Sequence, residues 1–183
     1  WTQLGQDIDG EAAGDFSGSV ALSSNGNVLA IGAELNDGNG ANSGHVRVFQ
    51  LIDRAWTQLG MDIDGEAAGD ASGFSVSLSS DGTRVAIGAP TNINNDNDDL
   101  SAGHVRVYEF SGGAWAKVGV DIDGEGAGDR SDGEAAGDKS GTSVSLSSDG
   151  TRVAIGAFLN DGNGDNSGHV RVYRLASAQT ITF

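Results

Sequence analysis

The sequence contains no cysteine, a single proline at Pro90, and no long apolar run. Without cysteine there is neither a disulfide framework nor thiolate chemistry, so the cysteine content does not indicate a cellular compartment. A transmembrane helix needs about 18 or more consecutive apolar residues. No membrane span is therefore expected.

Basic residues are also few, with 10 lysines and arginines against 26 aspartates and glutamates and a formal net charge of −16. Contact with a phosphate backbone requires a positive surface, so nucleic acid is not an expected partner. The sign of the charge favours cations as ligands instead.

Glycine, by contrast, is abundant, and a unit that spans residues 73–108 in its middle copy occurs three times. In this copy, alternating small polar and branched apolar residues lead directly into Asp81-Gly82, a dipeptide that favours a tight hairpin turn. A returning strand and two more short strands follow. The four predicted strands are 75–79, 84–89, 104–108 and 115–118.

Four antiparallel strands per repeat are the content of one propeller blade. The sequence therefore predicts an all-β fold, a β-propeller-like array of three four-stranded antiparallel blades. Three blades are too few for a closed ring of about 4 to 8, so we expect a partial propeller, an arc completed by another copy, or an open stack. The predicted units are 1–5 (fourth strand of a preceding or closing blade), 6–60 (blade 1), 61–119 (blade 2) and 120–183 (blade 3, with a nine-residue duplication near 123–138).

Residues 1–5 match residues 56–60 and read as an outer strand. An unpaired strand edge is a liability, so this strand should pair with blade 3 of the same chain or with a neighbouring chain. Residues 180–183 compete for the same place.

The motif DIDGEAAGD, or a close variant, precedes each repeat. Alternate acids in a glycine-rich loop can bring oxygen ligands to one hard cation, and Ca²⁺ takes about 6 to 8 of them. The acids partly follow the EF-hand order, but glycine stands at position 4 instead of 6 and no glutamate closes position 12. The motif therefore either binds calcium or forms a solvated acidic connection between blades. The candidate calcium ligands are Asp7, Asp9, Glu11, Asp15, Asp62, Asp64, Glu66, Asp70, Asp121, Asp123, Glu125 and Asp129.

Two further sets of residues allow a ligand-binding or a structural interpretation. Asx residues with glycine after the second strand form turns by bonding their own backbone, or could hold a cation or sugar hydroxyls. Tryptophans on the fourth strands either pack between blades or offer a stacking platform for sugars. The candidate ligand-binding residues are Asp37, Asn39, Asp161, Asn163, Trp56 and Trp115.

No residue is predicted to be catalytic. A catalytic histidine is expected once with unlike partners, whereas His45, His104 and His169 occupy one equivalent repeat position. Glycoside hydrolysis needs one pair of carboxylates, but every acid here is repeated and no unique pair stands out. The sequence therefore predicts a protein that is not an enzyme.

The segment VAIGAP at 85–90, with GFSV at 73–76 before it and GHVRVY at 103–108 after it, resembles the FG-GAP repeat of integrin α-type β-propellers. The nearer likeness is to the variant of secreted bacterial and algal proteins, which has Ser-Asp-Gly at the hairpin. The resemblance covers nearly the whole chain in three copies. It implies a propeller, an extracellular setting, and adhesion or ligand binding through blade loops.

The likeness departs from integrin-type repeats in one respect. Their calcium loop directly precedes the strand equivalent to 85–90, whereas only Ser80-Asp81-Gly82 stands there in this chain. Any calcium site is then expected in the acidic connections or in the Asx-rich loops.

The function expected from the sequence is that of a non-enzymatic extracellular structural or adhesion module, with calcium as a candidate stabilising ion. Its expected partners are a protein or glycan at the cell surface or matrix, together with self-association or the remainder of a longer chain. Two alternatives stay open: a glycan-binding, lectin-like propeller and a carbohydrate-active enzyme.

Overall fold

A computed structural model describes residues 1–91, 102–125 and 137–175, and all regular structure in these ranges is β-strand. The period-two alternation of the sequence produces the strands, because alternate side chains face opposite sides of a sheet. The strands are β1 (Ser17–Leu22), β2 (Val28–Ala33), β3 (His45–Ile52), β4 (Ala55–Gln58), β5 (Ile63–Asp64), β6 (Ser75–Leu78), β7 (Arg84–Ala89), β8 (His104–Ser111), β9 (Ala114–Lys117), β10 (Ile122–Asp123), β11 (Ser143–Leu146), β12 (Arg152–Ala157) and β13 (His169–Arg174).

Three separate antiparallel sheets form, one from each repeat, and they confirm the predicted all-β array of blades. The first sheet has the order β1-β2-β3-β4, and the second has β6-β7-β8-β9 on the same plan. The third contains β11-β12-β13 among the described residues, and residues 180–183, a predicted outer strand, lie outside them. The sheets are not closed into a ring.

The hairpin turn of each blade has the chemistry predicted from Asx-Gly. In the second blade the Asp81 carboxylate accepts hydrogen bonds from the Ser79 hydroxyl at 2.7 Å and from the Thr83 N–H at 3.0 Å, while Gly82 adopts a φ of +74°. These two bonds stabilise the ionised form and lower the pKa of Asp81. The Asp149 turn of the third blade repeats the arrangement, and the same kind of bonds lower the pKa of Asp149 to about 2.

The blades pack through the apolar faces of neighbouring sheets. Val76 and Leu78 of β6 join Val46 and Val48 of β3 in one buried cluster. Burying such a side chain contributes roughly 1.5–3 kcal/mol, so this interface is a main source of stability. The second interface repeats the first, with Val144 and Leu146 packed against a cluster that includes Val105 and Val107.

The acidic connections between blades pair with the sheet that precedes them. The strand β5 follows the first blade yet hydrogen-bonds to β3, with Ile63 opposite Val46 and Asp64 opposite His45. The strand β10 pairs with β8 in the same register. Each connection is therefore built into the preceding sheet before the chain enters the next one, and the division at 60/61 and 119/120 remains our proposal.

Residues 1–5 form no strand within the single chain. Their position is nevertheless informative, because the Trp56 indole N–H donates to the Leu4 carbonyl at 3.0 Å. The Trp115 indole donates in the same way to the Leu59 carbonyl at 2.7 Å. Leu4 thus lies against the first blade as the end of the first blade's outer strand lies against the second.

Candidate functional site

The acidic connections and the Asx-rich loops meet at one edge of the array, where β3, β8 and β13 begin. The loop after β2 is hydrogen-bonded to the connection that leads into the second blade: Gly69 N–H donates to the Ala41 carbonyl at 2.9 Å and Ser72 N–H to the Ser43 carbonyl at 3.0 Å. We call this edge the acidic loop face. It comprises residues 7–15, 36–43, 62–70, 121–125, 137–138 and 160–167.

The last acid of the first and second motifs is buried and stabilises a turn. One Asp15 carboxylate oxygen accepts hydrogen bonds from Ala12 N–H at 3.1 Å and from the Asn36 side-chain amide at 3.0 Å. Asp70 accepts from Ala67 N–H at 2.9 Å. These acids therefore stabilise the connection itself.

The duplication in the third repeat changes which acid takes this place. Asp138 accepts a hydrogen bond from the Asn160 side chain at 2.7 Å, as Asp15 does from Asn36. The acid predicted for this position, Asp129, lies outside the described residues. The second copy of the duplicated segment thus supplies the structural equivalent of Asp15.

The first acid of each motif accepts a hydrogen bond from the residue four positions earlier. The Gln3 amide donates to Asp7 at 2.8 Å, and Gln58 donates to Asp62 at 2.6 Å. In the third motif the Lys117 ammonium takes the place of the amide and contacts Asp121 at 2.7 Å. This acid is thereby directed towards the preceding blade.

The first acid, the middle glutamate and the repeated histidine form a group in the first two repeats. In the group of Glu66, His104 and Asp121, three potential ligand atoms lie within 4.8 Å of one another. The guanidinium of Arg106 contacts Glu66 and lies 3.0 Å from Asp121. The first repeat has the group Glu11, His45 and Asp62 with Arg47; the third has Glu125, Asp138 and His169 with Arg171.

The twelve predicted calcium ligands are thus divided between environments. Within residues 1–91, 102–125 and 137–175, no group of three potential ligands comes from one motif alone. Asp9, Asp64 and Asp123 are exposed at the ends of the connections. The carboxylates and imidazoles of the three groups could bind a metal ion, although a guanidinium already lies beside each.

The arginines are the part of the site that sequence reasoning missed. Arg47, Arg106 and Arg171 follow the histidines by two residues, so both side chains lie on one face of the strand. The alternation in His-Val-Arg-Val indicates that the histidine and the arginine share a face of the strand. The ion pairs of the arginines with the acids of the connections appear only in the structure. In the described part of the chain, His45 Nε2 and the Nε atoms of Arg47 and Arg106 are buried without a hydrogen-bond partner.

Electrostatics at the second group favour a neutral histidine and an ionised aspartate. Burial lowers the pKa of His104, and this effect outweighs the opposing influence of the Asp121, Asp70 and Asp123 carboxylates. Burial by itself raises the pKa of Asp121, but the Lys117 hydrogen bond and the charge of Arg106 together lower it. The group is an ion-paired network at neutral pH.

The weaker ligand candidates serve the loops and the blade interfaces. Asp37 accepts a hydrogen bond from Asn42 N–H at 2.8 Å, and the Asn39 amide donates to the Gly65 carbonyl at 2.8 Å. In the third blade Asp161 accepts a matching hydrogen bond from Asn166 N–H at 2.6 Å, whereas Asn163 donates its backbone N–H to the Ser167 hydroxyl at 3.3 Å. Trp115 lies 5.1 Å from the Phe110 ring, and its indole N–H is occupied, as is that of Trp56. Ligand binding by these six residues stays a prediction.

Residues 130–173 match the family model of the FG-GAP repeat. The match confirms the resemblance seen in the sequence and covers the third repeat up to β13. No curated protein matches the chain significantly. Among the described residues, none belongs to a helix that could cross a membrane.

Several solved structures are similar in fold. A protein from Bacteroides uniformis ATCC 8492, assigned as a 6-phosphogluconolactonase, is 18% identical with a TM-score of 0.51; the alignment covers 90% of this chain and 38% of that one. A periplasmic gluconolactonase from Pseudomonas aeruginosa is 19% identical with a TM-score of 0.52, covering 85% and 38%. The β-propeller domain of the trilobed protease from Pyrococcus furiosus is 11% identical with a TM-score of 0.47, covering 87% and 39%. The chain thus spans 38% of the length of each lactonase.

The two lactonases overturn the prediction that this chain is not an enzyme. That prediction rested on the repetition of every acid, yet both neighbours are enzymes built from repeated blades, so repetition gives no ground for excluding catalysis. At 18% and 19% identity the likeness shows the fold alone. The chain is accordingly a β-propeller-type array of antiparallel blades that contains an FG-GAP repeat.

Proposed function

We propose that this chain is an extracellular interaction module with a role in adhesion, and that its acidic loop face binds a protein or glycan partner. The observation that carries the proposal is the recurrence of one loop arrangement on the same edge of the first and third blades. The FG-GAP match supports it. Propeller-type arrays present their loops as a continuous surface, which suits an extended partner.

The loops of this face are fixed in place before any partner arrives. Asn36 Oδ1 accepts from Gly38 N–H at 2.8 Å and Asp37 Oδ1 from Asn42 N–H at 2.8 Å, while Asn39 bridges to the next connection. A surface that is already ordered loses little conformational entropy on binding. Preorganisation of this kind favours specific recognition by the loops.

The charge of the face defines the partner's chemistry. Asp9, Asp64 and Asp123 are exposed along it, and the chain as a whole carries a net charge of −16. A complementary surface is basic, or is bridged to the carboxylates by a cation. Basic protein segments and cation-bridged glycans are therefore the two kinds of partner to compare.

Calcium stabilisation of this face is part of the proposal. Two carboxylates in each Glu/His group suit a hard cation, whereas an imidazole is a better ligand for a transition metal such as zinc. Binding to the native state alone stabilises by about 2.7 kcal/mol at a hundredfold excess over Kd. For a chain of this size we expect calcium to raise the Tm by about 5–10 °C relative to EDTA at fixed ionic strength.

Two variants and a comparison with zinc test whether calcium stabilises the chain through the Glu/His groups. Glu11→Gln removes a carboxylate from the first group, and Asp53→Asn removes one from the turn at the opposite end of β3. Calcium stabilisation that is reduced by the first change and kept by the second supports the proposal. A rise with zinc alone assigns the groups to a transition metal, and no rise with either ion refutes metal stabilisation.

The partner is tested by direct binding of the chain to a glycan array and to immobilised extracellular-matrix proteins, with calcium and with EDTA. We expect saturable binding that weakens about tenfold or more in the double variant Asp9→Asn, Asp64→Asn, a change of about 1.4 kcal/mol. Asp53→Asn is the matched control and should bind as the unmodified chain does. Equal weakening in both variants, or no binding to any glycan or protein, would refute recognition by this face.

A further inference from the structure

We propose that the two outer sheet faces of the chain bind each other head to tail, so that a second copy supplies the blade that follows β13. This inference concerns faces that the proposed function does not use. It rests on the repetition of one interface between neighbouring blades inside the chain, because each outer face carries one half of that interface.

Each internal interface joins one pair of apolar residues to one acceptor face. Val76 and Leu78 of the second blade are 9% and 8% exposed and belong to one buried cluster with Val46 and Val48 of the first. Val144 and Leu146 of the third blade pack against a buried cluster that contains the equivalent residues Val105 and Val107 of the second.

The same residue types recur on the outer faces, where their side chains are exposed. Val20 and Leu22 of β1, the equivalents of Val76 and Leu78, are 62% and 59% exposed. On the third blade, Val170 and Val172 stand where Val46 and Val48 stand on the first, and they are 71% and 66% exposed. The two outer faces therefore carry the same residue types that meet at the interface between the first and second blades and at the interface between the second and third. Such a contact is heterologous, with different patches on the two copies.

Glycines on the outer faces provide an independent indication. At Gly65, a Cβ would collide with the backbone of the preceding blade, and at Gly88 with that of the following blade. Neither has a positive φ, so close approach of a neighbouring blade is what requires glycine there. Their equivalents on the outer faces, Gly10 and Gly156, also lack a positive φ, and the nearest atoms to a Cβ there belong to their own blade. Glycine at these places suits a backbone that a second copy brings.

The repeat also fixes the register of the contact. Ile63 lies opposite Val46 and Ile122 opposite Val105 where each connection pairs with the preceding sheet. The equivalent residue of the first connection, Ile8, belongs to no strand within the single chain. In the assembly it pairs with Val170 of the other copy, and residues 1–5 lie along β13 as its outer strand.

This register completes the third Glu/His group. Asp62 lies beside His45 and Asp121 beside His104, each supplied by the connection that follows the histidine's own blade. The equivalent acid for His169 is Asp7 of the second copy. The array then has the same three-part group at each blade.

The first test measures the molar mass of the 183-residue chain by analytical ultracentrifugation from about 1 to about 200 µM, a range in which mass action reveals micromolar association. We expect the mass to rise from 18.5 kDa in whole multiples. Gly10→Ala and Val172→Asp change opposite faces, and each should weaken association about tenfold or more. Ile52→Asp alters an exposed apolar residue at the end of β3, away from both faces, and should associate normally. A mass of 18.5 kDa at every concentration would overturn the proposal.

The second test fixes the geometry and uses the absence of native cysteine. Ile8→Cys and Val170→Cys chains are mixed and oxidised, and a disulfide-linked product containing one of each is expected. The pair Ile8→Cys and Ile52→Cys is the control and should not cross-link above background. Association without the Ile8–Val170 cross-link would mean that the copies meet in another way, and would refute the head-to-tail register. Because neither test involves calcium or an external partner, its failure leaves the loop-face function unaffected.

Discussion

Leu78 and Leu22 are the same residue at the same place in two repeats, and they should respond very differently to replacement by alanine. Leu78 is 8% exposed within the interface between the first and second blades, whereas Leu22 is 59% exposed on the open face. A buried Leu→Ala change loses the transfer free energy and leaves a cavity, at a cost of about 2–5 kcal/mol. An exposed one changes the free energy of unfolding by about 0.5 kcal/mol or less.

The pair is best measured by thermal unfolding followed by circular dichroism, at a protein concentration where the chain is monomeric. We expect Leu78→Ala to lower the Tm by about 5–15 °C, using about 2–4 °C per kcal/mol for this chain length. Leu22→Ala should leave the midpoint unchanged. Similar losses in both variants would refute the assignment of the 76–78 face as a buried interface. A loss in Leu22→Ala that grows with protein concentration would instead report the head-to-tail contact.

Three other changes test the turns, the interface and the ion-paired group. Burial lowers the pKa of His104, so near and below about pH 6.5 the unfolded chain binds more protons than the folded chain. The contribution of His104 to stability should therefore be full above about pH 6.5 and fall as the pH drops below this value. His104→Gln should make the Tm less dependent on pH in this range. Asp149 has a pKa lowered to about 2, so Asp149→Asn should reduce the Tm most above about pH 3.9, and the difference from the unmodified chain should shrink as the pH falls towards about 2. A difference that does not change between about pH 5 and about pH 2 would contradict the turn assignment. Trp115→Phe removes the hydrogen bond to the Leu59 carbonyl and should cost about 0.5–1.5 kcal/mol in urea unfolding.

The strands and turns were predictable because their causes are local. Alternation at 84–89 and the Asp81-Gly82 dipeptide specify a hairpin without reference to the rest of the chain, and three copies reinforce the pattern. The candidate site was harder to predict from the sequence. The DIDGEAAGD motif reads as one loop, but pairing of its second and third residues with the preceding sheet separates the acids on either side.

The ion-paired groups depend on contacts between repeats, which periodicity does not encode. Glu66 belongs to the connection before the second blade and Asp121 to the one after it, and Arg106 joins them. The enzyme prediction failed for a related reason: it treated repetition of residue types as repetition of environment. His45 and His169 differ in burial and in the origin of their neighbouring aspartate, although their sequence contexts are almost the same.

The pairing of each connection with the preceding sheet bears on how the array responds to force. Tension along the chain reaches β5 and β10 before it reaches the next blade, and it must peel these short strands from β3 and β8. A blade therefore cannot be extracted without disturbing the edge of the one before it. Under a pulling force, we expect each blade to separate only after the short strand that pairs with the preceding blade has detached from it. In the proposed role of binding a partner, this pairing would distribute a pulling force over two blades at every step.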